Sequence, residues 1–108
     1  MFIYNITFIV GSDKKKELLR YLRLELIPLV FNQESPAREP ELRKVVETGG
    51  EKTDAEHGLS IALSATFPTE EEAHLWNDRI LIPALSEFQL KFGLEGLYFV
   101  TLLQKLDI

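Results

Sequence analysis

The tripeptide Leu26-Ile27-Pro28 returns as Leu81-Ile82-Pro83, and the offset of 55 residues is about half of the 108-residue chain. The same offset pairs Ile6 with Ile61, Tyr21 with Trp76, Leu42 with Leu97 and Val45 with Val100. A shift that matches strand-like and helix-like segments alike is the mark of an internal duplication, and it constrains architecture more than chemistry. The pseudo-repeats run from about residue 1 to 48 and from 57 to 103. They are read as one domain over 1–108, with enough apolar residues (45%) to build a core without staples.

Each repeat carries a strand, a helix and a strand. Phe2 to Val10 alternates with period two and is rich in β-branched and aromatic residues. Leu18, Tyr21, Leu22, Leu26 and Leu29 then fall at helical spacing, with Ser12 or Asp13 available as a cap. Phe31 to Glu41, with Pro36 and Pro40, reads as a connecting loop. Leu42 to Thr48 reads as a short, charged edge strand, followed by a turn at Gly49-Gly50 and a polar extension over 51–57. Leu59 to Thr66 alternates apolar with small residues and forms the third strand. Thr69 and Glu72 form a capping box that opens a second helix. Its expected buried stripe is Ala73, Trp76, Ile80, Ala84 and Phe88, and Lys91-Phe92-Gly93 closes it. Leu97 to Leu103 is the last strand.

The order βαββαβ predicts an α+β, ferredoxin-like sandwich: a four-stranded antiparallel sheet with two helices on one face. Pro28 and Pro83 lie late in their helices, where a missing N–H predicts that each helix kinks or ends. The other sheet face then presents Ile3, Asn5, Thr7 and Ile9 together with Ser60, Ala62, Ser64, Thr66 and one side of the last strand. That face is too apolar to stand in water, so a homodimer through it is expected. Asn5, Ser60 and Ser64 are the candidate ligand-binding residues on it.

Several chemistries are excluded or disfavoured. The chain has no cysteine, so disulfides, thiolate metal sites and a cysteine nucleophile are absent. A net charge of −5, with Lys14-Lys15-Lys16 as the densest basic run, repels nucleic acid. No stretch approaches the roughly 20 apolar residues of a bilayer span, and a cytoplasmic protein is expected. His57 and His74 lack metal-site spacing, and neither a metal nor a cofactor is expected. Asn5, His74 and Trp76 are residue types used by haem-degrading monooxygenases. His74 and Trp76 are two positions apart, however, about 200° around a helix, so one pocket cannot take both unless the helix is distorted. Trp76 is read as core.

The segments Ile3-Tyr4-Asn5-Ile6-Thr7, Glu25-Leu26-Ile27-Pro28, the strand around Ser60 and Phe99-Val100-Thr101-Leu102-Leu103 resemble a family of short uncharacterised bacterial proteins, a domain of unknown function. In that family a histidine commonly stands where this chain has Leu26, and an arginine where it has Val100. The resemblance implies a ferredoxin-like fold and distant similarity to the dimeric α/β-barrel superfamily. The expected function is a non-catalytic homodimeric module that binds a small ligand or a protein. The alternatives are a cofactor-binding monooxygenase-like enzyme and a ligand-sensing regulatory domain.

Overall fold

The computed structural model describes residues 1–46 and 59–107. Four strands, β1 (Phe2–Val10), β2 (Arg38–Lys44), β3 (Leu59–Phe67) and β4 (Leu97–Gln104), form one antiparallel sheet in the order β2-β3-β1-β4. This is the ferredoxin-like arrangement. Helix α1 spans 15–30 after a 3₁₀ turn at Ser12–Lys14, and helix α2 spans 70–92. Gly11 begins the 3₁₀ turn without a side-chain cap, so neither Ser12 nor Asp13 plays the expected capping role. Thr69 does cap α2, its hydroxyl accepting from the Glu72 N–H at 3.1 Å. Glu72 Oε2, in the carboxylate of the box, is buried without a hydrogen-bond partner.

Neither helix ends at its proline. Each instead contains a π turn just before it, Leu22–Leu26 in α1 and Asn77–Leu81 in α2, with Ile27 N–H reaching Leu22 O and Ile82 N–H reaching Asn77 O, five residues back. The wide turn falls where an ordinary α register already fails, because the carbonyls of Leu24 and Arg79 would face the bare nitrogens of Pro28 and Pro83. Beside the wide turn, burial departs from the expected stripe at one position in each helix, while Leu26, Ala84 and Phe88 are buried as expected. Leu29 and Ile80 were expected in the core, yet Leu29 is exposed and Ile80 only half-buried, while Val30 and Leu81 are fully buried. Tyr21 to Leu26 and Trp76 to Leu81 show the five-residue step directly, since all four are buried.

The core lies between the helices and one face of the sheet. Tyr4, Ile6, Phe8 and Val10 from β1 meet Leu59, Ile61, Leu63, Ala65 and Phe67 from β3. Burying a large side chain of this kind stabilises by about 1.5–3 kcal/mol each. Trp76 holds the centre, with ring contacts to Tyr4 at 5.6 Å and Phe67 at 5.2 Å. Its indole N–H donates to Val30 O at 3.0 Å, which ties the last turn of α1 to the middle of α2. Gly93 ends α2 with φ 59, a backbone conformation that favours glycine. Gly96 is needed for closeness: a Cβ there would stand 2.6 Å from that of Phe92.

The expected loop and edge strand are corrected at β2. It begins at Arg38 and contains Pro40, earlier than the sequence suggested. A proline is tolerated there because β2 is an edge strand and one side of its backbone needs no ladder partner. The pairing with β3 shifts register between Arg38 and Glu41, and Glu39, just before the proline, takes φ 54. The expected Gly49-Gly50 turn and the 51–57 extension lie outside the described residues.

Candidate functional site

Strand alternation gives the sheet a second face that no helix covers. From β4 it takes Leu97, Phe99, Thr101 and Leu103, because Tyr98 and Leu102 pack toward the core. The register places Asn5 between Ser64 on one side and Thr101 on the other, and brings Glu41 opposite Ser64. A polar row therefore crosses the middle of the sheet: Glu41, Ser64, Asn5 and Thr101.

The two flanks of this row differ. On the β2 side, the Arg43 guanidinium donates to Ser64 Oγ at 3.0 Å and forms an ion pair with Glu41. Ser64 is only 7% exposed although it lies on the open face, and it is one of two buried polar residues among those described, Ser35 being the other. Asn5 Nδ2 donates to Thr7 Oγ1 at 3.3 Å. A concavity of about 390 Å³ opens at this end of the face, lined in part by Ile3, Glu39, Glu41, Arg43, Ser64 and Thr66. On the β4 side the surface is apolar, with Leu97 52%, Phe99 58% and Leu103 48% exposed.

Of the three residues singled out from the sequence, Ser64 lies in the concavity and Asn5 is its direct cross-strand neighbour. Ser60 pairs with Ile9, four residues further along β3 and so roughly 13 Å away. The structure thus joins two of the three and leaves Ser60 near the opposite end of the sheet. Glu41 and Arg43 went unrecognised as site residues. Their signal was present, since two charges at period two in a strand share a face, but it becomes readable only once β2 is known to start at Arg38.

Chemically the arrangement offers donors, acceptors and an apolar wall. Arginine is not a base, so the contact that Ser64 makes does not activate its hydroxyl. Among the described residues no three His, Asp or Glu side chains gather as a metal site. His74 is exposed, its Nε2 3.9 Å from Glu70 Oε1, while Trp76 lies in the core and Asn5 on the far side of the sheet. The three residue types that suggested haem chemistry do not converge. His57 lies outside the described residues. Among the described residues no helix is long and apolar enough to cross a membrane.

One tyrosine links the core to the helix surface. Tyr4 donates its O–H to Asn77 Oδ1 at 2.5 Å, and Asn77 Nδ2 donates on to Asp78 Oδ1 at 3.1 Å. Burial, followed by the Asp78 charge, pushes the Tyr4 pKa above the usual tyrosine value. Burial likewise raises that of Tyr21, with Glu87 and Glu25 adding to it.

Comparison with known proteins agrees with this fold. Residues 1–106 match the model of a family described as a domain of unknown function, DUF4286. No curated protein sequence matches the chain. Among solved structures, an ethyl tert-butyl ether (EthD) family protein from Bacillus halodurans C-125 is similar at 10% identity and a TM-score of 0.69, covering 98% of this chain and 100% of that one. A structure described as an antibiotic biosynthesis monooxygenase is similar at 11% identity and a TM-score of 0.57, covering 94% and 96%. A protein from Arabidopsis thaliana is similar at 17% identity and a TM-score of 0.55, covering 97% of each. At such identities the likeness shows the fold alone.

Proposed function

The chain belongs to the DUF4286 family, whose description assigns no function, and we propose that it is a non-catalytic binding module that pairs with a second copy through its open sheet face. The observation that carries this reading is the exposure of Leu97 and Phe99 on one side of the polar row and of Leu103 on the other. They continue into the half-buried Ile3 and Ile9 of β1. Apolar surface of this extent on a sheet face is costly in water, and a two-fold dimer removes it with one self-complementary contact. A small ligand then occupies the space at Ser64 and Asn5, between the two sheets, where hydroxyl and amide groups meet an apolar wall.

Light scattering on a dilution series tests the dimer, and a monomer that persists at high micromolar concentration would sink it. Thermal shift against a panel of amino acids and other small metabolites tests the ligand. The monooxygenase-like alternative makes a separate demand, namely that haem or flavin binds stoichiometrically with a change in absorbance.

A further inference from the structure

We propose that a second site lies on the other side of the sheet, in the groove between α1 and the β2–β3 edge, and that it binds a small amphiphilic oxyanion: a short aliphatic tail ending in a carboxylate or phosphate. The groove holds about 230 Å³. Its apolar surface comes from Leu19 of α1, Leu42 of β2, and Leu59 and Ile61 of β3. The charged residues that line it are all cations, and no carboxylate among the described residues joins them. In a chain with 17 acidic against 12 basic side chains, that bias departs from the average surface.

Two of the cations are set aside. The Arg43 guanidinium is engaged with Ser64 and Glu41 on the open face, so only its stem and backbone serve the groove. Lys44 has a partner of its own. Lys15 and Arg23 remain. They flank Leu19 at four-residue steps on one stripe of α1, both are exposed, and neither forms an ion pair among the described residues. An oxyanion satisfies these charges, most directly through the two parallel donors of the Arg23 guanidinium. The tail meanwhile covers Leu19 and Leu42, which are only half-buried. A neutral polar ligand would leave the cations unmatched, and a simple inorganic anion would leave the apolar floor wet. The volume lies below the roughly 300–1,000 Å³ of sites for drug-sized ligands, which limits the tail to a short chain.

The test is an amide-resonance titration of the intact protein with sodium octanoate and octyl phosphate, beside 1-octanol as the uncharged control. Saturable shifts at Leu19, Leu42 and Ile61 are expected with either oxyanion, and the stronger of the two identifies the preferred head. The double variant Lys15→Glu, Arg23→Glu should weaken octanoate at least tenfold with an unchanged melting curve. Raising salt from about 50 to 500 mM should weaken it several-fold, as screening of exposed charge requires. Equal binding of octanol, or shifts centred on Asn5 and Ser64 instead, would overturn the proposal. So would shifts at these groove residues on dilution without ligand, which would assign the groove to a second copy of the chain.

Discussion

The two faces of the sheet are built from the same strands yet solve opposite problems. On the helix side Ile6, Phe8 and Leu63 are wholly buried, and the core is complete within one chain. On the open side Phe99 is more than half exposed while Ser64, a hydroxyl, is buried beneath an arginine. The difference teaches that residue type alone does not decide burial here. A helix layer seals one face, and the other stays open, apolar toward β4 and polar toward β2.

The contrast is broken most severely from inside. Phe8→Ala should cost about 3–5 kcal/mol of stability through lost contacts and a residual cavity. The loss would appear as a urea midpoint below the parent's at every protein concentration. Phe99→Asp should behave in the opposite manner, leaving the fold of the single chain intact while weakening self-association at least a hundredfold, because an interface carboxylate would have no partner. Light scattering reads that change, and a variant that still dimerises like the parent would remove the open face from the interface.

Smaller substitutions sharpen the comparison. Tyr4→Phe removes the O–H donor to Asn77 and should cost about 1–2 kcal/mol, with Asn77 left partly unsatisfied. Ser64→Ala removes the acceptor for Arg43. Its cost should stay near 1 kcal/mol, since the guanidinium keeps Glu41 and reaches water. The tyrosines also predict a pH effect whose sign is fixed. Their folded pKa values are raised, so the unfolded chain ionises first, and stability present below about pH 10 declines as pH rises through the folded values. Urea midpoints measured from pH 8 to 11 should fall at the alkaline end, and the double variant Tyr4→Phe, Tyr21→Phe should flatten the decline.

Much of the architecture was legible because periodicity survives in a sequence. The alternation in β1 and β3, the Thr69 cap and Gly93 each state a local rule that the fold obeys. The π turns were not legible as such. Proline announces that an α register fails but not how the helix repairs it, and the one-residue slip from Leu29 to Val30 and from Ile80 to Leu81 follows only from the repair. The start of β2 was hidden for a related reason, since Pro36 and Pro40 signal loops wherever the edge position of a strand is unknown. Of the site, Ser64 and Asn5 were visible from strand phase. Arg43 and Glu41 were not, because their meaning depends on the register of β2 against β3.

The paired π turns carry a consequence for the length of the helices. Each helix holds one residue more than its rise along the axis requires, in the turn just before its proline. Elsewhere in α1 or α2 a single deletion would rotate everything after it by about 100° and tear the buried stripe from the core. Deleting Leu24 together with Pro28→Ala would instead return α1 to an ordinary α-helix with Val30 still facing inward. The repeated proline thus marks the two points where this chain could lose a residue and keep its fold.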